Sequence, residues 1–181
     1  MKRSKVLVAA GLTVLCLGAA ASFAASKVDI DKSVATSLGE FNALNPANKS
    51  LGNKAAGVLV FPHVTKGGVG VAGEFGQGAL QVNGKTVGYY NIAAGSVGLT
   101  LGFAKHSEVI MFMTKDSLDN FTKSDGWSIG ADAGVTVVSA NASGDYDSLT
   151  QSKPILAFAF AEKGLIGDLS VDGTKITKIK E

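Results

Sequence analysis

Glycine recurs inside an alternating apolar pattern through the middle of this chain, and that feature constrains the fold most. Val69 to Gln81 alternates with Gly70, Gly73, Gly76 and Gly78, and Thr86 to Leu101 alternates with Gly88, Gly95 and Gly98 before Gly102. A period of two is the signature of a strand, and glycine inside a strand marks a bend, a bulge or a close backbone approach. Between the two segments lies Asn83-Gly84, a pair that accepts positive φ and predicts a tight hairpin turn. With 23 Gly against 3 Pro in 181 residues, the expectation is one mainly β domain (α+β), with a strongly curved or barrel-like antiparallel sheet.

Further segments fit the same picture. Gly57 to Phe61 reads as a short strand ended by Pro62, Glu108 to Met113 as a buried strand, and Trp127 to Ala140 as another alternating one. Ile155 to Phe160, Leu165 to Val171 and Lys175 to Ile179 follow, the last two flanking a second hairpin signal at Asp172-Gly173. Helices are few. Ile30, Val34, Leu38 and Phe41 form one helical stripe, which predicts an N-terminal helix ending near Asn45-Pro46 and packed on the domain. Its polar face lacks the Lys and Arg of an interfacial membrane helix. Pro46 opens a second short helix that stops at Gly52. Thr114 is the cap of a third, near 115–123, with Leu118 and Phe121 inward.

Ahead of this domain, residues 1–24 have the layout of a signal peptide. Lys2, Arg3 and Lys5 precede the apolar run Val6 to Leu17, and Ser22-Phe23-Ala24 satisfies a small-x-small cleavage rule. The expected mature domain is 25–181, a helical part over 25–52 and a glycine-rich β part over 55–180, exported to the periplasm or secreted. Cys16 follows Leu15 rather than a small residue and so lacks a lipidation signal; cleavage after Ala24 leaves no cysteine and no disulfide. Cleavage also removes three of the 17 basic residues and none of the 15 acidic ones, for a mature net charge of −1. That balance argues against nucleic-acid binding.

No catalytic constellation stands out. The only histidines, His63 and His106, have no metal-ligand spacing to another donor and read as loop or turn residues beside strand ends. Gly68 to Gly73 spells G-x-G-x-x-G, but strand-like alternation follows it where a dinucleotide loop needs a helix. Gly95-Ser96-Val97-Gly98 is a fragment of a nucleophile elbow without a base partner. Asp145 and Asp147 lack the spacing and terminal Glu of an EF-hand. Glu74, between glycines in a strand, is either a satisfied polar residue at the sheet face or part of a ligand cleft. No enzyme activity, cofactor or metal is expected.

Three ordered motifs carry a family likeness. Ala55 to Pro62 with Lys66 to Gly73 and Phe75 to Gly78 resembles the start of the SYLF lipid-binding domain. Trp127 to Gly130 with Ala131 to Gly134 resembles its central motif, and Phe158 to Leu165 with Leu169 to Gly173 its closing one. The likeness spans roughly Val34 to Ile179. It implies a non-enzymatic module that binds membrane lipid. Eukaryotic relatives bind phosphoinositides and some fungal ones bundle actin, a poor partner for an envelope protein. The closing motif here offers Glu162 beside Lys163 where such relatives tend to carry a further base, which weakens the case for a polyphosphoinositide headgroup. For such a lipid-binding module the candidates are Lys66, Lys85, Lys105 and Lys163 for the headgroup, because they fall in predicted loops or strand ends, and Phe75 and Phe103 for an apolar groove. Two alternatives stay open: an envelope structural or protein-interaction domain, self-associating through a sheet edge, and a hydrolase with an unrecognised site.

Overall fold

The computed structural model describes residues 25–124, 126–129, 134–138, 153–161, 164–166 and 173–180, with backbone only for 69–72 and 96–103. The putting together of these segments is dominated by two long strands, β1 (Gly57–Val82) and β2 (Lys85–Phe112). They pair antiparallel along almost their whole length around Asn83 (φ 51°) and Gly84 (φ 73°), the expected turn. Around this hairpin runs a seven-stranded sheet. It holds β3 (Trp127–Ser128), β4 (Val135–Val137), β5 (Ile155–Ala161), β6 (Gly164–Leu165) and β7 (Lys175–Lys178). β5 pairs with β2 over 107–112 and β7 pairs with β2 over 90–93, so the two arms of one strand organise the two halves of the sheet. The architecture is mainly β, a curled half-barrel with three helices.

The hairpin is too long to stay flat, and it folds back on its own inner face. A Cβ added to Gly78 would overlap the carbonyl oxygen of Val60, and one on Gly76 would sit 3.1 Å from the His63 oxygen. Glycine at these positions lets two arms of β1 approach more closely than side chains permit, which is how the sheet curls. The inner face then closes over Leu59, Phe61, Leu80, Ile92, Ile110 and Phe112. Helix α3 (Lys115–Lys123) plugs it: the Thr114 side chain accepts from the Ser117 amide, and Leu118 and Phe121 are buried. Phe121 lies 4.7 Å from Phe112 and 5.5 Å from Trp127, centroid to centroid.

The outer face is covered by α1 (Lys27–Leu44) and α2 (Pro46–Lys54). Ile30, Val34 and Phe41 bury the predicted stripe against Val109, Met111, Phe158 and Phe160. Asn45 caps α2, accepting from the Ala47 amide, with Pro46 in the first turn; the helix runs past Gly52 to Lys54. Asp31 fixes α1 to the hairpin by accepting from Thr86 Oγ1 at 2.8 Å and from the Tyr89 hydroxyl at 2.9 Å.

Several expectations are corrected. Pro62 does not end a strand: it falls in a bulge between Phe61 and Val64, where the ladder lapses and no amide is needed. Thr86–Leu101 and Glu108–Met113 are parts of one strand, held together by the equally long β1. The segment from Trp127 is divided. Gly134 (φ 110°) precedes β4, so β3 joins β7 while β4 lies parallel to β5, the one parallel pairing among the described strands. Of the predicted strand from Leu165, β6 is described and 167–172 lie outside the described residues, though Gly173 has the positive φ (79°) of the second turn signal. Residues 1–24, which carry the signal-peptide reading, also lie outside them.

Candidate functional site

Two sites emerge, one on each face of the hairpin. On the outer face, the first turns of α1 stand off from β1 and leave a cleft of about 420 Å³. Ile30 and Ser33 form one wall; Pro62, Thr65, Phe75 and Gln77 form the other. The amide of Ala25 donates to Gln77 Oε1 at 3.0 Å, and the Gln77 side-chain amide donates to Asn91 Oδ1 at 3.2 Å, which holds Ala25 at the cleft rim. Phe75 keeps 53% of its surface exposed, an uncommon state for so large an apolar side chain and a mark of a contact surface.

The predicted site residues do not gather there as a group. Phe75 lines the cleft. Lys105 is exposed, and its cross-strand partner is the cleft residue Thr65, so it flanks the site. Lys66 is half-buried, one residue out of phase with Thr65, and acts electrostatically on Glu74 at the inner face. Lys85 is exposed at the far hairpin tip. Contrary to the expectation of loops or strand ends, Lys66 and Lys105 occupy mid-strand positions, because the ladder continues through the segment read as an interruption. Lys163 and the side chain of Phe103 lie outside the described residues, as do Asp145 and Asp147. No lysine cluster forms among the described candidates.

The second site was missed by the sequence reading. His106 is a buried strand residue, not a surface or loop one, and its Nε2 lies 2.9 Å from Glu108 Oε1 and 3.0 Å from Glu74 Oε1. All three side chains are at least nine-tenths buried. His106 and Glu108 share a face through their i, i+2 spacing, a signal present in the sequence. Glu74 is paired in the ladder with Ala94, far from either. It arrives only because the hairpin folds on itself at Gly76 and Gly78, which brings the 74–78 arm against Val64, the cross-strand partner of His106. His63, by contrast, is exposed at the bulge.

The electrostatics of the trio follow from burial and proximity. Burial alone would depress the His106 imidazole, but its hydrogen bond to Glu108 and the charges of Glu108 and Glu74 beside it outweigh that and push its pKa up to about 9. Burial raises Glu108, which His106 only partly offsets and the neighbouring Glu74 reinforces. Glu74 is less deeply set; burial raises it, yet His106 and Lys66 together bring it below the ordinary carboxylate value. The site is thus a compact set of one imidazole and two carboxylates in a dry setting.

Nothing in either site assembles a nucleophile with a base among the described residues: no serine, threonine or cysteine hydrogen-bonds to either histidine there. Residues 93–181 match the model of the Ysc84 family, described as Las17-binding protein actin regulator. No curated protein matches the sequence. The match begins inside β2 and takes in His106, Glu108, α3 and β3 to β7, whereas the glycine-rich motifs from Ala55 to Gly78 precede it. Ysc84 (SYLF) domains are known as lipid- and actin-binding modules rather than enzymes, and through its C-terminal half this chain belongs to that family.

Proposed function

We propose that the chain is an exported, non-enzymatic phospholipid-binding module of a bacterial cell envelope, and that the cleft beneath the start of α1 is where it meets lipid. The observation that carries the reading is the half-exposed Phe75 at the rim of an apolar cleft in a member of a lipid- and actin-binding family. The basic n-region, apolar run and small-x-small site of residues 1–24 support export. An actin partner does not fit an exported protein. The mature charge of −1 and the scatter of Lys66, Lys85 and Lys105 favour contact led by apolar surface over capture of a polyphosphorylated headgroup.

The test is flotation of the chain from Ala25 to Glu181 with vesicles of phosphatidylethanolamine and phosphatidylglycerol, at low and high salt. Apolar contact predicts co-flotation that changes little with salt, since screening weakens exposed charge pairs and leaves hydrophobic burial intact. Binding that disappears at high salt would replace the cleft with a headgroup site around Lys105. Absence of binding under both conditions would overturn the lipid reading and favour an envelope protein partner.

A further inference from the structure

We propose that Glu74, His106 and Glu108 form a binding site for a divalent first-row transition metal such as Zn²⁺, independent of the lipid cleft on the opposite face. The imidazole Nε2 and one oxygen from each carboxylate all lie within 4.8 Å of one another. Nε2 faces the two carboxylate oxygens at 2.9 and 3.0 Å. A single N–H cannot serve both. It donates to Glu108 Oε1, and Glu74 Oε1 is left buried without a hydrogen-bond partner. A buried oxygen without a hydrogen bond, on a side chain only 9% exposed, is costly, and here it lies among the other two donors, 3.0 Å from Nε2.

A cation resolves this arrangement. Metal–ligand distances of about 2.1 Å place neighbouring donors roughly 3.0–3.4 Å apart in octahedral or tetrahedral geometry. The separations of 2.9 and 3.0 Å meet the lower figure with little movement. A dication with a neutral imidazole and two carboxylates sums to zero charge in the dry interior. One imidazole with two carboxylates suits Zn²⁺, Mn²⁺ or Fe²⁺ and lacks the thiolates that select Cu⁺. The exposed Ala104 and its half-buried cross-strand partner Lys66 form the approach on the same face. Lys66 opposes a cation electrostatically, so its removal is expected to tighten binding.

The purified full chain, stripped with EDTA, is titrated with Zn²⁺ by calorimetry, and with Co²⁺ by visible absorption as a reporter of imidazole ligation. The expected result is one Zn²⁺ per chain with Kd of about 10 µM or tighter, and a Tm that rises with Zn²⁺. Glu74→Gln preserves shape and removes the carboxylate charge beside His106 without breaking a hydrogen bond of Oε1, so it should fold, as circular dichroism will verify, and bind at least about tenfold more weakly. His106→Gln should lose the Co²⁺ imidazole signature, His63→Gln should retain it, and Lys66→Met should bind more tightly. No Zn²⁺ uptake by the parent chain at about 100 µM would overturn the site and leave a proton-bridged cluster. Undiminished affinity in folded Glu74→Gln, or loss of binding in His63→Gln, would overturn it equally.

Discussion

The two faces of the β1–β2 hairpin are built from the same alternating sequence and are used in opposite ways. The inner face is closed by contact with itself, at Gly76 and Gly78, and by α3; it holds the aromatic cluster of Tyr90, Phe112, Phe121 and Trp127. The outer face is closed by separate elements, α1 and α2, which cover it over Phe41 and Leu51 but leave the cleft beside Phe75. A face sealed by its own backbone has no slack and tolerates little change. A face covered by a docked helix can be left partly open, and an exposed apolar surface there is compatible with a stable fold.

The sharpest way to break that contrast is to place a methyl on each kind of glycine. Gly78→Ala puts a Cβ into the Val60 carbonyl and within 2.7 Å of the Phe61 ring, with backbone on one side that cannot yield. It should prevent the hairpin from curling and yield little folded protein, seen as lost near-ultraviolet dichroism and insoluble expression. Gly95→Ala meets nothing within 4 Å and should leave Tm nearly unchanged or slightly raised, since alanine restricts the unfolded chain. Equal tolerance of both changes would mean that the inner face does not close as described.

A smaller effect separates the faces by what unfolds. Phe112→Ala removes a fully buried ring that contacts Phe121 at 4.7 Å and Trp127 at 6.1 Å, and should lower global stability by about 3–5 kcal/mol. Phe41→Ala removes an equally buried ring, packed 5.0 Å from Phe158 and 5.5 Å from Phe160, that joins a helix to the sheet. Its loss, of similar size, should appear first as faster amide exchange in α1 while the β2–β5 amides stay protected. Parallel loss of protection in helix and sheet would make the two faces one cooperative unit.

The same contrast explains what was legible in the sequence. Features set by near neighbours were readable: the Asn83-Gly84 turn, the Thr114 cap, the Ile30–Val34–Phe41 stripe. Pro62 was misread because a missing amide is harmless only at a bulge, and the bulge depends on β2. Phe75 was named, yet nothing in its neighbours says that α1 stands away from it. His106 reads as a loop or turn residue because its burial and its bond to Glu108 depend on a strand that continues past the predicted segment ends. Its contact with Glu74 depends on a fold-back 30 residues away that only the glycines hint at, and glycine reports room without saying what fills it.

The smallest expected change in stability is the most informative for function. Phe75→Ser takes a half-exposed ring from the cleft rim, where water already covers much of it, so stability should change by no more than about 0.5 kcal/mol. Vesicle co-flotation, on the other hand, should fall severalfold, because among the described residues the ring is the largest exposed apolar group. A core residue cannot give this pairing: removing it lowers stability and binding together. If Phe75→Ser binds as the parent does, the opening beneath α1 is incidental packing and the outer face resembles the inner one. If it binds less while melting at the same temperature, the opening left by α1 is what the fold presents to lipid.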